Sequence, residues 1–126
     1  MPLVRIDTTQ RFDAARRRAI GDATHQAMVE TMKVPPEDRF QVIVGHPDEG
    51  LNITPTYLGI AHGKDPVVVQ ITLNAGRTVE VKQAFYARLA EELSALGVRR
   101  EDVIVSLVEV VKENWSFGNG EAQYAK

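Results

Sequence analysis

The sequence predicts an α+β fold of two layers, in which two β-α-β units form a four-stranded sheet with two helices on one face. Two observations predict it: the chain contains an internal repeat, and each copy reads as strand, helix, strand. The chain has 126 residues, which suits a single domain spanning 1–126 around one core. Within that domain, the two units are expected at about 1–45 and 66–111.

The repeat is visible as similar segments at a nearly constant distance along the chain. Pro-Leu-Val-Arg-Ile at 2–6 resembles Pro-Val-Val-Val-Gln-Ile at 66–71, and the segment 34–44 resembles 98–108. The offsets of the two pairs are 65 and 64 residues. Two matches in the same order at one spacing indicate a duplicated unit.

Each unit carries strand and helix patterns in the predicted order. Short β-branched stretches predict four strands, at 3–6, 40–44, 67–73 and 103–111. Between the strands of each unit, apolar or small residues recur at helical spacing: Ile20, Thr24, Ala27 and Thr31, then Val81, Phe85, Leu89, Leu93 and Leu96. Asp13 and Thr78 are the predicted N-caps. Pro35 with Pro36 should end the first helix, and Gly97 the second.

The strand–helix–strand connection in each unit predicts which face of the sheet the helices cover. A strand, a helix and a second strand joined in this way give parallel strands. Because both helices are expected on one face, the other face of the sheet needs cover, and we expect it to pack against other subunits. The segment 46–65 is a long irregular connection, either a functional loop or a short edge hairpin.

Composition excludes several classes of function. The formal net charge is −2, which argues against a general nucleic-acid binder. The chain has no cysteine, so disulfides, thiolate zinc sites and cysteine nucleophiles are excluded. No segment approaches the ~20 apolar residues that span a bilayer, so we expect no membrane partner and a cytoplasmic protein. His46 and His62 have no spaced partner, and His25 suits a helix surface or subunit contact, so neither a metal nor another cofactor is expected.

The carboxy-terminal tail combines aromatic residues with glycines. It reads Trp-Ser-Phe-Gly-Asn-Gly at 115–120, where the glycines permit a tight turn. Trp115 and Phe117 are therefore either the wall of a pocket or a hydrophobic plug at the edge of the sheet.

Several motifs together resemble one family. They are Pro2-Leu3-Val4-Arg5-Ile6-Asp7, Val34-Pro35 with Asp38-Arg39-Phe40, Gly76-Arg77, Asp102-Val103-Ile104 and Asn114-Trp115-Ser116-Phe117-Gly118. With the doubled unit, they resemble the tautomerase superfamily, and within it the malonate semialdehyde decarboxylase-like branch. The resemblance covers almost the whole chain except 46–65. It implies the tautomerase fold, a homotrimer, a catalytic amino-terminal proline freed by loss of methionine, and an active site where subunits meet.

Pro2 is the proline that this resemblance makes catalytic. An ordinary terminal amine has a pKa of roughly 7.7–8.0. Burial and nearby cations lower the pKa and would make the secondary amine of proline a base near neutral pH, whereas a nearby carboxylate would keep it protonated as an acid. With Met1 attached, the Pro2 nitrogen is a tertiary amide and has neither role. A small second residue normally allows removal of the methionine.

The resemblance also gives roles to four other residues. Asp38 matches the acidic position near the proline, where it would polarise a water, orient the substrate or keep Pro2 charged. Arg77 matches the arginine that binds the substrate carboxylate, which a guanidinium can do through two parallel hydrogen bonds. Trp115 and Phe117 match the apolar wall of the family pocket and would be substrate-binding residues.

One departure from the family pattern bears on the substrate. The best-known decarboxylase has two arginines flanking one residue, whereas this chain has Ala75-Gly76-Arg77 and keeps only the second. Three functions therefore stay open. The first is a keto–enol tautomerase or isomerase that moves protons on small oxo-acids. The second is a decarboxylase or hydratase of malonate semialdehyde type, a lyase. The third is a non-catalytic trimeric binding protein.

Overall fold

The computed structural model describes residues 1–125 and has two layers, as predicted. A four-stranded sheet is covered on one face by two helices. Its strands are β1 (Leu3–Thr9), β2 (Phe40–His46), β5 (Val67–Asn74) and β6 (Val103–Val110). The helices are α1 (Ala14–Met32) and α2 (Val79–Ser94), and a separate short hairpin consists of β3 (Thr56–Tyr57) and β4 (Ile60–Ala61). The long connection therefore contains a hairpin, one of its two predicted forms.

The strand order of the sheet is β2-β1-β5-β6. Within each β-α-β unit the strands are parallel, as the crossover predicts. The two units join through an antiparallel pair, β1 with β5, which the sequence patterns did not indicate. Leu3 therefore pairs with Phe40 on one side and with Thr72 on the other. The start of the chain consequently lies beside two other segments. One is the turn that leads into β2, and the other is the turn that follows β5.

Both helices begin at the predicted caps. The Asp13 carboxylate accepts the backbone N–H of Arg16 at 2.8 Å, and the Thr78 hydroxyl accepts that of Val81 at 3.2 Å. These bonds satisfy backbone donors that the first turn of a helix leaves without partners. The first helix ends earlier than the prolines require, because Lys33 adopts a left-handed conformation (φ 57°) and its N–H bonds to the carbonyl of Met28.

The core lies between the helices and the sheet. Fully buried side chains from both layers meet there, including Ile6, Ile20, Ile71, Phe85 and Leu89. Apolar side chains of this size each contribute roughly 1.5–3 kcal/mol when they leave water. The alternate residues of β1 and β5 point into this layer, which fixes the register of the central pair.

Two strands extend at least two residues beyond their predicted ends. β1 continues to Thr9 instead of ending at residue 6, and β2 continues to His46 instead of ending at residue 44. The extensions pair with each other, from Asp7 with Val44 to Thr9 with His46. Local composition does not show this pairing, because it depends on a partner more than 30 residues away.

Among residues 1–125, neither helix packs on the second face of the sheet, and the tail reaches only the end of that face, where Phe117 lies beside Phe40. Leu3, Phe40, Val42 and Val108 expose between 38% and 46% of their surface. No helix among residues 1–125 is both long and apolar enough to cross a membrane.

Candidate active site

The candidate site forms around the amino terminus, where the sheet register brings three parts of the chain together. Pro2 is buried and directly precedes β1. The terminal amino group, on Met1, lies 3.9 Å from Oδ2 of Asp38. In this form of the chain the Pro2 nitrogen is an amide. Removal of Met1 would make the ring nitrogen of the buried Pro2 the terminal amine.

Asp38 lies in the turn that leads into β2. Its N–H bonds to the carbonyl of Pro35 at 2.9 Å, and its side chain is 27% exposed. Nε2 of His25, on α1, lies 2.7 Å from the carbonyl oxygen of Pro36. This contact connects the turn to the first helix. The turn is held in place by backbone contacts, and the carboxylate itself remains available to the terminal amine.

Burial and two nearby charges shift the pKa of the terminal amino group on Met1. Burial lowers the pKa of the terminal amino group, Asp38 raises it, and Arg77 lowers it again; the net result is a pKa below the ordinary value. Burial has the largest effect because a charged ammonium loses hydration there. Asp38 and Arg77 therefore act on this amine in opposite directions.

Arg77 follows β5 on a turn that needs glycine. Gly76 has a φ of 131°, a conformation that side chains disfavour. The guanidinium donates from Nη2 to the carbonyl of Met32 at 3.2 Å, and from Nη1 to that of Asn74 at 3.4 Å. No carboxylate among residues 1–125 lies within ion-pair distance of it. Its positive charge is thus positioned by carbonyls and remains able to bind an anion.

Trp115 and Phe117 form an aromatic wall. Their rings stack with centroids 5.2 Å apart and an interplanar angle of 14°. With Leu3, Phe40 and Ser116 they line a cavity of about 250 Å³ beside the chain start. The tail therefore lines a cavity at the start of β1, and Phe117 also packs beside Phe40 of the edge strand β2.

Three residues of this region were not identified from the sequence. Asn74 accepts the indole N–H of Trp115 at 2.7 Å and so fixes the ring. Phe40 lies 5.5 Å from Phe117 between ring centroids, and Tyr124 meets Phe117 edge-on at 5.3 Å. Burial raises the pKa of Tyr124, and the charge of Asp38 adds to the effect.

Their positions had only weak signals in the sequence. Phe40 and Asn74 lie within three residues of Asp38 and Arg77 along the chain, and this proximity is the signal that could have identified them. Tyr124 depends on the fold of the tail. The Gln123 amide accepts the N–H of Phe117 and donates to the carbonyl of Gly118, both at 2.9 Å, which turns the last residues back onto the wall.

Comparison with known proteins agrees with this geometry. Two family models, both described as tautomerase enzyme, match residues 38–118 and 2–61. The probable tautomerase YrdN of Bacillus subtilis (strain 168) is 41% identical to this chain, over 98% of the chain and 96% of its own length. The chain belongs to the tautomerase superfamily.

Solved structures are also similar to this chain. A malonate semialdehyde decarboxylase, FG41, inhibited by 3-bromopropiolate, is 38% identical and superimposes with a TM-score of 0.90, covering 97% of this chain and 93% of its own. A fused 4-OT protein, described as a wild-type symmetric trimer, is 28% identical, with a TM-score of 0.78 over 98% of each chain. The fold and the resemblance to a malonate semialdehyde decarboxylase are thereby confirmed.

The remaining histidines serve other contacts. His46 lies on the open face of the sheet, 2.5 Å from the carboxylate of Asp7, and His62 contacts the carbonyl of Thr54 at 2.7 Å.

Proposed function

We propose that this chain is an amino-terminal-proline enzyme that moves protons on small oxo-acids, as a keto–enol tautomerase, after removal of Met1. The observation that carries the proposal is the environment of the terminal amine, in which burial and Arg77 outweigh Asp38 and lower the pKa. A lowered pKa increases the fraction of the amine in the neutral form, which can accept a proton. Once Met1 is removed, the amine lies on Pro2, which is itself buried.

The proposed reaction needs one base and one anion site. Arg77 binds the carboxylate of a 2-oxo acid, and the Pro2 nitrogen takes a proton from the carbon next to the ketone. As the C–H bond breaks, its electrons form the C=C bond, and the protonated Pro2 then gives its proton to the carbonyl oxygen, which yields the enol and restores the neutral amine. The reverse reaction returns the proton from the Pro2 nitrogen to carbon. The aromatic wall of Trp115 and Phe117 excludes water from the transfer.

Malonate semialdehyde decarboxylase or hydratase chemistry is the second candidate. The 38% identity to the FG41 decarboxylase supports it, as does Asp38 at 3.9 Å from the amine. In this reaction a protonated Pro2 polarises the aldehyde while the C–C bond to the carboxylate breaks. Carbon dioxide leaves, the electrons of the C–C bond pass into an enolate, and the enolate carbon takes the proton of Pro2, which is then protonated again from solvent. Ala75, at the position of the family's first arginine, weakens this candidate because a single guanidinium must hold the carboxylate.

We also propose that the protein is a homotrimer. The open face of the sheet exposes apolar side chains at Leu3, Phe40 and Val42, and the similar 4-OT structure is described as a trimer. Apolar patches of this kind in soluble proteins mark contact surfaces. Because Leu3 and Phe40 also line the cavity beside Pro2, assembly would bring a neighbouring subunit close to the site.

A substrate panel with a titration of the amine tests the proposal. The enol of phenylpyruvate and malonate semialdehyde are assayed with wild type, Pro2→Ala and Arg77→Ala. We expect turnover of the enol, a loss of at least tenfold in kcat/KM in both variants, and a Pro2 pKa at or below neutrality. Turnover of malonate semialdehyde alone, with a Pro2 pKa well above neutrality, would favour the decarboxylase. Full activity in both variants, or none in wild type, would reject the site.

A further inference from the structure

A second ion pair lies next to the turn that carries Arg77. Lys82, in the first part of α2, donates from Nζ to Oε1 of Glu109 near the end of β6, at 2.9 Å. Their side chains are 23% and 33% exposed. The strand register pairs Leu73 with Glu109, and a further bond from the N–H of Ala75 to the carbonyl of Val110, at 3.0 Å, continues it into the turn. Glu109 is therefore adjacent to the segment that presents Arg77.

The charge of Glu109 acts on the turn as well as on Lys82. The pKa of Glu109 lies below its usual range chiefly because Lys82 donates to the carboxylate; the backbone N–H of Gly76 and the charge of Arg77 contribute further. Glu109 is thus ionised at neutral pH. An ionised carboxylate beside an anion-binding arginine competes with the ligand, since like charges disfavour one another. The ammonium of Lys82 offsets this negative charge.

We propose that Lys82 and Glu109 form a charge-balancing pair that sets how strongly Arg77 binds the carboxylate of the substrate. The inference rests on the proposed role of Arg77. Both residues of the pair are positioning residues, because neither lies against the cavity that holds the reacting atoms. Without Lys82, the carboxylate of Glu109 is left to pair with the guanidinium and draws it away from the substrate. Without Glu109, the ammonium of Lys82 is no longer neutralised, and its positive charge adds to that of Arg77 in attracting the substrate carboxylate.

The pair predicts effects of opposite sign. We expect Lys82→Met to raise the KM for phenylpyruvate roughly two- to fivefold, and Glu109→Gln to lower it by a similar factor, with kcat little changed in either. The double variant should return close to the wild-type KM. These differences should shrink at high ionic strength, because screening weakens interactions between partly exposed charges. Lys64→Met, at the opposite end of β5, is the matched control and should leave KM unchanged.

A binding measurement separates this inference from the proposed function. Phenylacetate carries the ring and the carboxylate of phenylpyruvate but no ketone, so calorimetry reports its Kd without turnover. We expect Arg77→Ala to weaken phenylacetate binding, Lys82→Met to weaken it less, and Glu109→Gln to strengthen it. If Arg77→Ala binds as tightly as wild type, the proposed carboxylate site is wrong, and the charge-balancing pair with it. If Arg77→Ala weakens binding while the other two variants shift Kd in the same direction, or only lower Tm, the charge-balancing pair alone is rejected.

Discussion

Asp38 and Asp102 occupy equivalent places in the two repeats, yet their carboxylates have different partners. The Asp102 side chain is only 2% exposed and accepts the backbone N–H of Gly63 at 2.6 Å. The Asp38 side chain is 27% exposed and lies 3.9 Å from the terminal amine. Both repeats therefore have an aspartate before their last strand. The carboxylate of Asp102 binds the backbone of the long connection, whereas that of Asp38 faces the candidate site.

Replacing Asp38 should lower the pKa of the terminal amine further. In the chain with Met1, the Asp38 carboxylate raises the pKa of the terminal amine, whereas burial and Arg77 lower it. Asp38→Asn removes the effect that raises the pKa, and we expect the same at the amine of Pro2 once Met1 is removed. We expect the amine to titrate at lower pH than in wild type, measured by NMR on protein labelled with nitrogen-15 proline. Asp102→Asn serves as the control and should not move the titration. An upward shift in Asp38→Asn would contradict the assignment.

Replacing Asp102 should instead lower stability. Asp102→Ala leaves the N–H of Gly63 without its acceptor in a buried place, at a cost of about 1–3 kcal/mol in the free energy of unfolding. Urea unfolding of Asp102→Ala and Asp38→Ala compares the two repeats directly. The Asp38 variant should stay within about 0.5 kcal/mol of wild type, because its partly exposed carboxylate can be replaced by water as at other surface positions. Equal losses would mean that both carboxylates are structural.

The bond between Trp115 and Asn74 should hold the aromatic wall in place. Asn74→Ala removes the acceptor of the indole N–H, and we expect kcat/KM to fall by roughly fivefold, equivalent to about 1 kcal/mol for a lost hydrogen bond. Trp115 is the only tryptophan, so its fluorescence should move to longer wavelength as the ring becomes more solvated. Asn74→Asp keeps an acceptor and should restore both properties. Unchanged fluorescence in the alanine variant would show that stacking alone fixes the ring.

Acid should destabilise the fold partly through Asp7. Burial raises the pKa of this carboxyl, but hydrogen bonds from Arg5 and His46 outweigh it and hold the pKa below its ordinary value. A depressed pKa in the folded state contributes stability above the unfolded pKa of about 3.9, and this is lost as pH falls through the folded value. Asp7→Asn should therefore flatten the fall in stability below about pH 4, measured by urea unfolding at several pH values. If the free energy of unfolding falls equally steeply with acid in wild type and Asp7→Asn, groups other than Asp7 cause the acid sensitivity.

A charge on the open face should disrupt the proposed trimer. Val42 is 46% exposed on the edge strand β2, and Val42→Lys places an ammonium in a surface that assembly would bury. Light scattering should report three times the chain mass for wild type and a smaller mass for the variant. Val79→Lys, on α2 on the opposite side of the sheet, is the control and should remain trimeric. Wild type at a single chain mass would reject the trimer.

The local features of the fold were predictable from the sequence, whereas the long-range ones were not. Asp13 and Thr78 cap their helices because capping depends on the next three residues, and the repeat indicated the parallel pairs. The antiparallel join of β1 and β5 depends on how two units dock, which neither unit encodes in its own pattern. The family resemblance supplied Pro2, Asp38 and Arg77 as candidates, and the register explains why they meet. Tyr124 reaches Phe117 only through the folded tail.

Labelling of the terminal amine tests the central proposal most directly. Untagged protein is analysed by intact mass spectrometry and then treated with 2-oxo-3-pentynoate, an acetylenic oxo-acid whose alkyne a neutral amine can attack. A new N–C bond forms and the amine proton passes to carbon, so the adduct keeps every atom of the reagent. We predict a chain that lacks Met1 and carries one reagent on the Pro2 peptide, with slower labelling in Arg77→Ala. A chain that retains Met1, or label on other residues only, would contradict the assignment of Pro2 as the catalytic base.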